Sequence, residues 1–283
     1  MIIAHLSRDF RTLIACSMTC RSWYTAAVPH LHHTLTLRGN TPEVGRSKLE
    51  PLSKLRELGL APLVKEVRVY QYHCENAWIA PWGSSNHTFS GFANVQTLRL
   101  EEPDIQLFIP GTERYFKHLP PTLRSITLCN PRCTPQQLSR FLSLFPNLDD
   151  IEIEGYRYIP GGAIPVTELV PFSASKLRGR LVLHDFPRAE TWTDLITSRG
   201  GLRFRYMDLC GSANCAPVLF EACAKTLDTL RFSVIDGSFG EWFRTSYHVR
   251  VRADSKLKPV RSRSLNSIFR GSKSFDLWRS GIG

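Results

Sequence analysis

No stretch of eighteen consecutive apolar residues occurs in the 283-residue chain, so no membrane-spanning helix is expected. Met1-Ile2-Ile3-Ala4-His5 has no basic region followed by a long apolar core, and does not read as a secretory leader. The eight cysteines are therefore expected as free thiols in a reducing compartment, cytoplasm or nucleus. By the same reasoning the sequon Asn86-His87-Thr88 carries no meaning. Cys129-Asn130-Pro131-Arg132-Cys133 and Cys210-Gly211-Ser212-Ala213-Asn214-Cys215 lack zinc-finger spacing and sit where strands leave into turns. His30-Leu31-His32-His33 has no Cys, Asp or Glu beside it and reads as a polar helix-to-strand corner. Gly-x-Ser-x-Gly, Gly-x-x-x-x-Gly-Lys and His-Glu-x-x-His are all missing. Gly161-Gly162 and Gly200-Gly201 are turn signals outside any phosphate-loop context. The expectation is a non-enzyme with no catalytic residue, no metal and no cofactor.

What is present is the balance of a folded domain, 42% hydrophobic and 22% charged, long enough for one or two cores. Net charge is +11, but residues 237–283 hold ten Lys/Arg against three Asp/Glu, which is +7 of that total. The body is only mildly basic, which speaks against a nucleic-acid surface there. Residues 250–275 are rich in Arg, Lys and Ser, so residues 237–283 are expected as a basic, disordered tail. Phosphate binding by this tail is the third functional reading. Codons for Gly240-Glu241-Trp242 can also spell a splice donor, which makes translated intron a mundane alternative for the tail.

A spaced pattern dominates the middle of the chain: apolar, two others, apolar, one other, apolar. It runs through Val64/Val67/Val69, Val95/Leu98/Leu100, Leu123/Ile126/Leu128, Leu148/Ile151/Ile153, Leu177/Leu181/Leu183 (one extra residue) and Leu227/Leu230/Phe232. Met207/Leu209 is a weaker case. From core to core the steps are 31, 28, 25, 30, 26 and 23 residues, the length of one strand-plus-helix unit. Alternation within each strand buries one face. Between strands, Leu138, Phe141, Leu142 and Phe145 form one helical stripe ended by Pro146, and Val218, Leu219, Ala222 and Cys223 form another. Thr193–Ser198 has room for one short helical turn. One such unit cannot bury its own apolar face, whereas stacked neighbours can. An α/β domain with a doubly wound sheet is the competing architecture.

Over roughly residues 63–236 this spacing resembles the leucine-rich-repeat family. That likeness implies an irregular solenoid with a parallel sheet on its concave face. Pro103, Pro131 and Tyr156 stand where the family carries Asn or Cys after the strand, so irregular turns are expected.

At the N-terminus, Leu13, Cys16, Cys20, Trp23 and Ala27 step by 3, 4, 3 and 4, which predicts one helix over residues 12–28. Asp9 is its expected N-cap and Pro29 its end, with a strand at His33–Leu37. Ile2-Ile3-Ala4-His5-Leu6, Thr12-Leu13-Ile14-Ala15-Cys16-Ser17 and Cys20-Arg21-Ser22-Trp23 resemble the F-box, in particular that of fungal proteins in which it precedes leucine-rich repeats. The F-box docks on the Skp adaptor of a cullin-RING ubiquitin ligase. The family's Leu-Pro pair and most of its first helix are missing, so the motif reads as shortened. The expected organisation is a truncated F-box at 1–37, a connecting helix or linker at 38–62, repeats at 63–236 and the tail at 237–283.

The resemblance implies a non-catalytic, substrate-recruiting subunit of a Skp–cullin–F-box ligase, with an unknown protein substrate and no membrane partner. A repeat scaffold that has lost adaptor binding is the alternative. Ile3, Leu6, Leu13, Cys16, Cys20 and Trp23 are the implied adaptor-facing or supporting positions. On the concave face, Arg99, Thr127, Glu152, Val182, Asp208 and Arg231 lie between the inward apolar positions, flanked by Thr97, Ser125, Asp150 and Thr229. Their mixed charge suits a protein rather than a polyanion.

Overall fold

The structure is a computed structural model. It describes residues 9–39, 51–71, 89–105, 116, 119, 121–155, 157–158, 178–184, 203–210, 223, 226–236, 243–250 and 277–279. The chain divides into two compact units, residues 1–103 with 107–124, and residues 104–106 with 125–283.

In the first unit α1 (Phe10–Ser17) starts at Asp9, whose Oδ1 accepts the Thr12 N–H at 3.1 Å. Thr12 Oγ1 donates to the other carboxylate oxygen at 2.7 Å. The single helix expected over 12–28 is instead two. The Ser17 and Thr19 hydroxyls bond back to the carbonyls of Ile14 and Cys16, and the chain turns into an extended Cys20 before α2 (Arg21–Leu31). Pro29 lies inside α2 rather than ending it. Leu13, Cys16 and Ala27 still meet as a small core, with Leu31 packed on it.

Three parallel strands follow: β1 (Thr34–Gly39), β2 (Glu66–Gln71) and β3 (Thr97–Glu101). Leu35 pairs with Val67, and Val67 with Leu98, so the apolar positions form one buried row. Residues 51–57 are helical and bury Leu52. Phe89 stacks on Phe116 with centroids 5.9 Å apart and meets Phe92 edge-on at the same distance, and all three rings are buried.

The second unit continues the scheme with five parallel strands in register: β4 (Ser125–Cys129), β6 (Asp150–Glu154), β8 (Arg180–His184), β9 (Tyr206–Cys210) and β10 (Thr229–Asp236). Ile126, Ile151, Leu181, Met207 and Leu230 lie opposite one another in that order. Two short strands, β5 (Arg132–Cys133) and β7 (Arg157–Tyr158), make a separate parallel pair. Helix α3 (Pro135–Ser143) opens with a full capping box, Thr134 to Gln137 and back. Its expected stripe, Leu138, Phe141, Leu142 and Phe145, is buried.

The segment expected to be a disordered tail contributes strands as well. β11 (Phe243–Arg250) pairs antiparallel with β10, and β12 (Leu277–Arg279) with β11. Leu177, the expected helix at 193–198 and most of that at 217–225 lie outside the described residues; Cys223 is described and buried.

Repetition extends to the corners. Glu102, Asn130 and Gly155 each follow a strand and each have positive φ, at 53°, 49° and 62°. Pro103, Pro131 and Tyr156 come next in the sequence. Asp104, Arg132 and Arg157 then enter the second line of bridges. The irregular turn is thus the same turn reused. Thr122 and Thr226, each one residue before a repeat's first apolar position, donate to the carbonyls of Val95 and Phe204 at 2.8 and 3.2 Å. Val95 and Phe204 are the first apolar positions of the strand units just before. Phe204, 1% exposed, supplies the first apolar position that made the Met207/Leu209 unit look weak.

Candidate functional site

Strand alternation sends every second side chain away from the apolar rows. In the second unit this polar face carries three rows. The central one is Thr127, Glu152, Val182, Asp208 and Arg231, consecutive partners across β4, β6, β8, β9 and β10. These are five of the six positions expected on the concave face, and the structure brings them into one line. Arg99 belongs to the first unit, in line with Arg68 on β2.

Exposure is not uniform along the line. Thr127, Val182 and Asp208, expected on the concave face, are buried, at 6%, 3% and 4%. Long side chains beside them account for this. Glu152 accepts the Thr127 hydroxyl at 3.2 Å and Arg180 Nη2 at 3.3 Å. Arg180 also lies 6.0 Å over the Tyr206 ring. Glu154 accepts the Cys129 thiol at 3.3 Å.

Asp208 is the centre of a denser cluster. Its Oδ2 takes the Tyr206 hydroxyl and Arg231 Nη1, both at 3.4 Å. Its Oδ1 stands 3.5 Å from His184 Nε2, a contact outside hydrogen-bond geometry that is ionic only when the imidazole is protonated. Burial pushes the Asp208 carboxyl up, but His184, Arg231 and Tyr206 outweigh it and hold the group below its ordinary value. Burial and the neighbouring Asp208 charge push the Tyr206 phenol up. Sequence reading found Asp208 by alternation alone. It did not find His184 or Tyr206, two residues off the central line, because their joint approach depends on the strand register.

In the first unit the polar face is held by ion pairs within strands and by contacts between β1 and β2. Arg68 Nε donates to Glu66 at 2.7 Å and Arg99 Nε to Glu101 at 2.6 Å. Glu66 also accepts the Thr34 hydroxyl at 3.1 Å, and Arg38 sits 4.9 Å over the Tyr70 ring. Burial opposes charge on Glu66, yet Arg68 and Thr34 leave its carboxyl below the usual range.

The helical pair presents the second candidate surface. Of the expected adaptor positions, Leu13 and Cys16 are buried within the pair, while Cys20 and Trp23 are exposed. Ile3 and Leu6 lie outside the described residues. The exposed apolar set is larger than the sequence stripe suggested: Phe10 60%, Ile14 39%, Met18 81%, Trp23 42% and Tyr24 53%. Phe10, Ile14 and Met18 recur every four residues along α1 and its C-cap. Of the stripe, Leu13, Cys16 and Ala27 close the pair, while Cys20 and Trp23 stay open.

Among the described residues no group of three or more His, Cys, Asp or Glu is arranged to hold a metal ion, and no helix is long and apolar enough to cross a membrane. No protein-family model and no curated protein matches the chain.

Proposed function

We propose that the chain is a non-catalytic, substrate-recruiting subunit of a Skp–cullin–F-box ubiquitin ligase. In this reading a helical F-box remnant precedes an irregular leucine-rich-repeat solenoid. The observation that carries the reading is the open apolar face of the helical pair, Phe10, Ile14, Met18, Trp23 and Tyr24, placed directly ahead of the strand repeats. Five large apolar side chains on two short helices leave a surface that a partner can cover. The solenoid half is supported by the register-matched strands, the recurring positive-φ corner and the threonine bonds between successive repeats.

On this reading the apolar face of α1 and α2 takes the adaptor, and the polar sheet face takes the substrate. The ligase chemistry belongs to other subunits. Each buried side chain of this class contributes about 1.5–3 kcal/mol, so losing one weakens adaptor binding by roughly 10- to 100-fold. The test mixes the purified full-length chain with a purified Skp-type adaptor. Capture that is lost on Ile14→Asp and weakened on Trp23→Ala supports the assignment. Failure of the folded chain to capture the adaptor removes it and leaves the repeat scaffold.

A further inference from the structure

We propose that His184, Asp208 and Arg231 form a proton-dependent clasp across β8, β9 and β10, tighter when the imidazole is charged than when it is neutral. The three residues stand on consecutive parallel strands. Val182, Asp208 and Arg231 share one line, and His184 is two residues further along β8, diagonal to Asp208. The carboxylate at the centre is 4% exposed. Its two oxygens are served differently. Oδ2 has a permanent cation and a phenol, Arg231 and Tyr206, at 3.4 Å each. Oδ1 has no hydrogen-bond partner among the described residues and faces the His184 ring at 3.5 Å. A proton taken from solvent by the imidazole places a second cation on the oxygen that lacks a hydrogen bond. The neutral ring leaves that oxygen with a dipole at best.

The other ionisable groups around the ring set the sign. On β6, Glu154 is the register partner of His184, and Glu152 lies two residues before it. Both favour the imidazolium. Cys129 of β4 reaches Glu154 as a neutral thiol donor. On β9, Cys210 is the register partner of His184 and Tyr206 bonds Asp208. Arg180, on the same strand as His184, is engaged by Glu152, and Arg231 of β10 is the cation that, among the described residues, contests the carboxylate. The register sets His248 of β11 opposite Arg231. Among the described residues, the carboxylates Glu152, Glu154 and Asp208 outnumber the cations Arg180 and Arg231 around the imidazole, so a falling pH tightens the clasp. The clasp stands whether or not this face holds a partner. Its effect on partner binding rests on the reading of the face as the substrate surface.

The test follows the histidine ring resonances of the full-length chain by NMR between pH 5 and 8.5, with His184 identified by its loss in His184→Gln. Asp208→Asn is expected to lower the His184 titration midpoint by about one pH unit, because an opposite charge within a few ångströms is removed. Arg231→Gln is expected to raise it, because a competing cation is removed. A histidine that is merely packed against Asp208 would not shift in opposite directions in the two variants. Unmoved midpoints in both variants, or a lower midpoint in Arg231→Gln, overturn the clasp. If Asp208→Asn does not fold, Arg231→Gln decides the question alone.

Discussion

Ile153→Ala and Glu152→Ala alter adjacent residues of β6 and are expected to differ by about twofold or more in cost. Ile153 is fully buried on the apolar side, between the register partners Leu128 and Leu183. Truncating it removes three carbons and leaves a cavity between two neighbouring repeats, which costs about 2–5 kcal/mol. Glu152 lies on the opposite face with its side chain 23% exposed. Its removal gives up the Thr127 hydroxyl bond and the contact with Arg180, whose side chain is 51% exposed. A solvent-screened pair of this kind contributes about 0–1 kcal/mol, and the hydroxyl bond about 1 kcal/mol more. Urea unfolding followed by circular dichroism measures both. With a slope of roughly 2–3 kcal/mol per M, Ile153→Ala lowers the midpoint by about 1 M or more, and Glu152→Ala by about half of that or less. Equal shifts would mean that β6 does not divide its side chains between an apolar and a polar face. The two-faced parallel sheet would then fail at its most ordinary strand.

Gly155→Ala is expected to destabilise the second unit by about 1–3 kcal/mol. Gly155 has φ +62°, and an added Cβ would run into the Asn130 side-chain amide at the equivalent corner of the preceding repeat. Thermal unfolding checks this, and an unchanged midpoint would show that the corner is not reused. Asp208 gives a pH dependence with a definite sign. Its folded carboxyl sits below the ordinary value, so its contribution is present above about pH 4 and is lost as pH falls through the folded value. Asp208→Asn should therefore flatten the acid limb of the stability–pH curve and leave a lower plateau at neutral pH. The Cys223 thiol is pushed up to about 12 by burial, while Cys20 is exposed. Alkylation of the native chain near pH 8, read by peptide mass spectrometry, should mark Cys20 early and Cys223 only after unfolding.

Spacing within the sequence determined the strands. Apolar positions at intervals of two, repeated every 23–31 residues, place Val67, Leu98, Ile126, Ile151, Leu181 and Met207 on buried rows, with the half-buried Leu230 beside Met207, because a strand's side chains must alternate and one face must leave water. Asp9 as a cap and the stripe of α3 were legible for the same local reason. The helical phase at the N-terminus was misread, since Leu13, Cys16, Cys20, Trp23 and Ala27 keep their spacing straight through a chain turn. Spacing alone does not register the hydroxyl back-bonds of Ser17 and Thr19. The strands after Asp236 escaped notice because β11 depends on pairing with β10 rather than on the repeat pattern. Only the tertiary structure decided which polar residues act together. Register brings His184, Tyr206 and Arg231, from three strands, around the buried Asp208. It also decided which apolar residues stay open: packing α1 against α2 uses Leu13 and Cys16 and leaves Phe10, Ile14 and Met18 in water. Periodicity says that a helix has an apolar stripe. Which partner covers it is a property of what the rest of the chain brings within reach.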